Sequence, residues 1–150
     1  FVCGKEPTHV YAQKMKVGTE QLADHDNVSI TVTFNGGSTG TLCYNTVGDD
    51  AVSKERLEVY GGGQVATLDD YRRLEVTKDG STSTSRAWNQ DKGQENQMSE
   101  MVQAFRSRGK SPIPFDELVT GMQAVFAAQR SLAKGQPVEV PEYELKELSS

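Results

Sequence analysis

In the stretch NVSITVTFNGG, Val28, Ile30, Val32 and Phe34 alternate with Ser29, Thr31 and Thr33. This strict period of two predicts a strand with one buried side. Asn35-Gly36-Gly37 follows, and its glycines supply the positive φ that a tight hairpin needs. STGTLCYN then returns as the partner strand, with Leu42 and Tyr44 in phase. Residues 8–15 mix Val, Tyr and Ala with polar positions and predict a first strand, followed by a polar connection that contains His25. Further along, 56–60, 65–68 and 71–77 are short runs punctuated by Gly61-Gly62-Gly63, Asp69-Asp70 and Asp79-Gly80. Together they read as a largely antiparallel meander of about six strands.

The period then changes. Met98, Met101, Val102 and Phe105 fall at i, i+3, i+4 and i+7, which predicts a helix over 93–108 that Gly109 ends. A second helix enters after SPIP, with Asp116 and Glu117 in the first turn, where the dipole favours acids. Phe115, Leu118, Val119, Met122, Val125, Phe126 and Leu132 hold one face of it until Gly135 stops it. PVEVPEYELKELSS adds one short edge strand and then a fraying tail over 141–150.

The predicted fold is therefore α+β: a sheet of about six strands, with two C-terminal helices packed on one face and the other face open. Such a sheet is roughly 29 Å wide, and two helices about 10 Å apart cover roughly 20 Å of it. The open face would carry Ser29, Thr31, Thr33, Thr41, Glu58, Tyr60, Arg73 and Glu75. A surface of this kind is either solvated or meets another sheet.

Composition narrows the class. A chain of 150 residues is the size of one domain. The net charge of -5 comes from dispersed acids with no Lys/Arg stripe, which argues against nucleic acid as a partner. Cys3 and Cys43 cannot form a disulfide framework, and His9 and His25 share no ligand spacing with them. A reduced, cytoplasmic protein without structural zinc is the favoured reading. No apolar run approaches the ~20 residues that span a bilayer, so no membrane segment is expected. The chain opens FVCGKEP with no initiator Met, which looks like a cut inside a longer protein.

Most candidate chemistry has a plainer reading. Gly61-Gly62-Gly63 has no helix after it to aim amides at a phosphate, so a hairpin turn is favoured. Glu55-Arg56 and Asp69-Asp70 read as solvated residues at strand ends, and neither histidine has a partner at nucleophile-base spacing. Trp88 could stack on a ligand, but a lone Trp at a strand end is more often a core plug. Asp91-Lys92-Gly93 is the least bland motif. An acid near an N-cap and a cation near helical amides could grip a carboxylate or phosphate, although helix capping is preferred on the residues alone.

The run from NVSITVTFNGG through KERLEV, LDDY and WNQDKG to SPIPFDELVTGMQAVFAAQRSLAKGQPVEV resembles the C-terminal domain of the Gfo/Idh/MocA oxidoreductases. The resemblance covers about residues 10–140. It implies a 1–140 substrate-binding and oligomerisation domain of an NAD(P)-dependent oxidoreductase acting on a sugar, cyclitol or related hydroxyl or carbonyl compound. NAD or NADP would be held by an N-terminal Rossmann domain absent from this chain, as would the family's catalytic Lys and the helix carrying its Asp and His. No catalytic, cofactor-binding or metal residue is therefore assigned here; the fragment alone is expected to be inactive and to bind no cofactor. The resemblance further implies a homodimer through the open sheet, a cleft rimmed by Trp88, Asp91 and Lys92, and exposed apolar surface where the upstream helix belongs. The sequence departs from its look-alikes at Gln94, where His is expected after Asp-Lys-Gly. The alternative is a non-catalytic ligand-binding or self-association module with no redox chemistry.

Overall fold

The computed structural model describes residues 2–15 and 27–141; His25 and most of the tail lie outside them. The elements run β1 (Pro7–Lys14), β2 (Val28–Phe34), β3 (Thr39–Tyr44), β4 (Arg56–Gly61), β5 (Gln64–Asp69), β6 (Arg73–Lys78), β7 (Ser81–Arg86), α1 (Gln94–Ser107), α2 (Phe115–Lys134) and β8 (Val138–Glu139). The α+β class is as predicted, but the single sheet of about six strands is not. The strands form two four-stranded antiparallel sheets, ordered β3-β2-β1-β8 and β4-β5-β6-β7. The chain divides into two compact units, Phe1–Val47 with Ile113–Ser150, and Gly48–Pro112. Alternation assigns side chains to faces but leaves open which strand edges join. The polar stretch 45–55 carries no periodic signal, and β3 and β4 on either side of it share no ladder.

In the first unit, Val10 and Ala12 of β1 pack with Ile30 and Val32 of β2 against Ala124, Ala127, Ala128 and Leu132 of α2, with Val138 and Val140 closing the end. His9, Tyr11 and Gln13 share the other face with Ser29, Thr31, Thr33, Thr39, Thr41 and Cys43, so this polar face is as the alternation predicted. The helix limits match as well, but the buried stripe does not. Ala124, Ala127, Ala128 and Ser131 face the sheet, because small side chains let the helix axis come close. The larger Phe115, Leu118, Met122, Val125 and Phe126 lie roughly opposite on the 3.6-residue turn and stay exposed.

Ser131 is 0% exposed and joins α2 to β1. Its hydroxyl accepts the Ala12 N–H at 2.9 Å and donates to the Gln136 carbonyl at 2.7 Å. β8 pairs with His9 and Val10; beyond it the β1 edge has no strand partner among the described residues, and Ser131 takes that place. Among the described residues, Asn27 is the other buried polar side chain; it binds Thr46 through the Thr46 N–H at 2.9 Å and the Thr46 hydroxyl at 3.2 Å.

The second unit is a meander joined by turns whose two central residues both have positive φ: Gly62-Gly63, Asp70-Tyr71 and Asp79-Gly80. This is the mirror-image turn that matches strand twist. Gly61-Gly62-Gly63 is thus a hairpin, as read. β7 is entirely polar and carries no apolar alternation, so it was not among the predicted strands; it adds to the sheet through β6. One face carries Leu57, Val59, Ala66, Leu68, Leu74 and Val76. The other carries Glu58, Tyr60, Arg73 and Glu75, which share a face as predicted but on a sheet separate from the Thr-rich one, and also Arg56; Arg56–Glu58 lie at 2.6 Å, Tyr60 donates to Glu58 at 3.0 Å and Arg73–Glu75 lie at 2.7 Å. α1 lies within one residue of its predicted limits, although the left-handed residue ending it is Arg108 rather than Gly109. The expected packing of α1 on the sheet is not found: none of its residues is buried, and Phe105 is 88% exposed. An amphipathic stripe shows that a face wants cover without saying what covers it.

Candidate functional site

Backbone bonds carry the β4–β7 ladder one row past the strand ends. The Asp70 N–H donates to the Glu55 carbonyl at 2.7 Å, and the Ala87 N–H donates to the Arg72 carbonyl at 2.8 Å. This row brings Glu55, Asp70 and Arg72 beside the 87–93 loop that leads into α1. The Lys92 ammonium hydrogen-bonds Glu55 Oε1 and lies 5.9 Å from the centroid of the Tyr71 ring. Gln90 Nε2 donates to Asp70 Oδ1 at 2.7 Å, and Asp70 Oδ2 also meets Arg72 Nε at 3.5 Å. Asp91 Oδ1 accepts the Gly93 N–H at 2.8 Å, closing a tight turn that Gly93 completes with φ 76.

The electrostatics follow from these contacts. The hydrogen bond that Lys92 donates to Glu55 raises the ammonium above the ordinary lysine value against some opposing desolvation, with the charge of Glu55 and those of Tyr71 and Asp70 adding to the effect. Lys92 is therefore a fixed cation at neutral pH. Tyr71 provides its ring from a backbone conformation, φ 54, that a bulky L residue rarely adopts. Such outliers persist where their surroundings impose them.

Sequence reasoning singled out Trp88, Asp91 and Lys92, and the structure places all of them on this one loop. Trp88 is 99% exposed, which overturns the core-plug reading: no described residue covers the ring. Asp91 binds the amide of Gly93 and does not cap the helix proper, since α1 has no side-chain cap bond. Lys92 reaches Glu55 rather than lying free beside the helical amides. Glu55 and Asp70, read as solvated strand-end residues, are the partners that the motif view missed, and Tyr71 belongs to a turn instead of the predicted strand. Their joining depends on a contact between positions 55 and 92, which no local pattern signals. Among the described residues no group of three or more His, Cys, Asp or Glu could hold a metal ion, and no helix is long and apolar enough to cross a membrane. The cluster offers carboxylates, an amide, an ammonium and an uncovered indole. These groups can hydrogen-bond and stack.

No family model and no curated protein match the chain. Solved structures do. An aldose-aldose oxidoreductase from Caulobacter crescentus, complexed with glycerol, aligns at TM-score 0.72 and 17% identity over 91% of this chain and 42% of its own. An oxidoreductase from Agrobacterium radiobacter in complex with NAD+, L-tartaric acid and magnesium aligns at 0.72 and 16% over 90% and 44%. A UDP-N-acetylglucosamine 3-dehydrogenase from Acidithiobacillus ferrooxidans aligns at 0.67 and 16% over 87% and 42%. The fold is one found within longer oxidoreductase chains. The resemblance to the Gfo/Idh/MocA oxidoreductases holds at the level of fold. The chain spans less than half the length of the solved proteins it matches.

Proposed function

We propose that this chain is the substrate-binding and self-association domain of an NAD(P)-dependent oxidoreductase, with Trp88, Asp91 and Lys92 on the rim of its substrate cleft. The fold likeness over nine-tenths of the chain carries the reading, and the loop cluster around Lys92 supplies recognition groups that suit it. NAD or NADP would be held outside residues 1–140, which contain no glycine-rich strand-to-helix motif for a pyrophosphate. The substrate would be a small sugar, cyclitol or related compound. Solved neighbours contain a neutral polyol in one case and a dicarboxylic acid in another, so the fold leaves the charge class of the ligand open. The polar sheet faces, rich in Thr on β2 and β3 and in paired charges on β4 and β6, suit a homodimer.

The test uses the complete gene product, assayed for reduction of NAD+ or NADP+ with a panel of polyols and sugars. Turnover is expected, and Lys92→Ala should weaken substrate affinity about tenfold, as for loss of a hydrogen bond to a charged group. Unchanged affinity would return Asp91-Lys92-Gly93 to a plain helix entry. Light scattering decides self-association, because a strict monomer at high concentration removes the dimer. For the non-catalytic alternative, absence of turnover together with retained polyol binding would establish it.

A further inference from the structure

Lys92 is the cation of the cleft-rim motif, yet it is already matched. Glu55 holds its ammonium, Asp70 lies near enough to act on it, and Arg72, the next cation in the row, is engaged by that same Asp70. With Asp91, the carboxylates of this cluster outnumber its cations by one. The arginines of the sheet end give no relief. Arg56 and Arg73 are paired with Glu58 and Glu75, and strand alternation puts Arg86 in the row of Arg56 and Arg73, on the opposite face from Leu57 and Leu74. An incoming anion would have to displace Glu55 from Lys92 and then sit beside Asp70 and Asp91. A neutral hydroxyl has no such obstacle: the Asp70 and Asp91 oxygens and the Gln90 amide can accept from and donate to it without disturbing the Glu55–Lys92 pair.

We propose that Glu55 sets the charge class of the ligand: by neutralising Lys92 it makes the cluster a recogniser of uncharged polyhydroxy compounds and a barrier to carboxylates and phosphates. The proposal rests on the reading of Lys92 as a cleft-rim residue. Glu55 acts here as a specificity-determining residue through Lys92 and has no part in bond making.

The test is calorimetric titration of the complete gene product with a matched pair, D-glucitol and D-gluconate, which differ at one carbon by hydroxymethyl against carboxylate. Wild type should bind glucitol more tightly than gluconate. Glu55→Gln, isosteric and partly exposed, should improve gluconate binding about fivefold, the upper range for an exposed charge pair, with glucitol little changed. Adding Lys92→Gln to that variant should abolish the gain, tying it to the freed ammonium. Wild type preferring gluconate, or Glu55→Gln leaving the ratio unchanged, would overturn the charge rule while the cleft-rim reading stands. Failure of either ligand to bind any of these proteins would end the cleft-rim reading, and this proposal with it.

Discussion

Replacing Ser131 by Ala tests whether one buried hydroxyl joins helix and sheet in the first unit. Ala12 is 1% exposed, so its N–H, deprived of the Ser131 oxygen at 2.9 Å, has no water to turn to. A buried donor left unpaired costs about 1–3 kcal/mol. The Gln136 carbonyl, on an exposed residue, can be rehydrated and adds little. The expected loss is therefore about 2 kcal/mol. With a urea slope of roughly 1–3 kcal/mol/M, the midpoint falls by about 1 M. Trp88 belongs to the other unit, so its fluorescence is the wrong reporter. Far-UV circular dichroism combined with hydrogen exchange at the Ala12 amide follows the first unit directly. Ser107→Ala is the control: that hydroxyl is exposed and bonds only back to Gln103 and Ala104 in its own helix, so the change should stay within about 0.5 kcal/mol. A loss below about 0.5 kcal/mol in Ser131→Ala, with Ala12 exchange still slow, would refute the reasoning.

Tyr71→Gly should leave stability unchanged or slightly raised in a urea melt, because relief of a strained left-handed residue, about 1–2 kcal/mol, offsets loss of the ring beneath Lys92. The same variant should bind substrate more weakly, and a clear destabilisation would show that the turn conformation is not strained. Glu58 should titrate below the ordinary carboxylate range, chiefly through its hydrogen bond from Arg56 and then that from Tyr60. A depressed carboxylate adds stability that is present above its unfolded value and lost as pH falls through the folded one. Arg56→Met should move Glu58 back toward the ordinary range in a carboxyl NMR titration, and no movement would remove Arg56 as the cause. Lys92 runs the other way. Its raised value adds stability present at neutral pH and lost only as pH climbs through the alkaline lysine range; in Glu55→Gln the Lys92 titration should shift back down.

The alternating Val28 to Phe34 strand, the Asn35-Gly36-Gly37 hairpin, both helix spans and the Gly135 stop were legible because each rests on neighbours within a few residues. So was the α+β class, and so was the Thr-rich face. Asp91 was read as a helix cap, whereas its carboxylate accepts the Gly93 N–H two positions on and leaves the helix end uncapped. β7 escaped because a wholly polar edge strand takes its place from the partner strand β6 and not from its own pattern. The α2 stripe misled because the largest apolar residues were taken to mark the buried face. Close approach to β1 selects Ala and Ser instead.

What only the tertiary structure decided is which distant residues meet. Periodicity fixes the face a side chain belongs to, but strand edges carry interchangeable backbone donors and acceptors, so one sheet or two cannot be told from alternation. The same limit governs the candidate site. Lys92 could be named from its local motif, whereas its neutralisation by Glu55 and its seat over Tyr71 depend on a turn and a ladder extension that bring those side chains together across the sheet end. Charge in this cluster is a property of the pairing, and the pairing exists only in the folded chain.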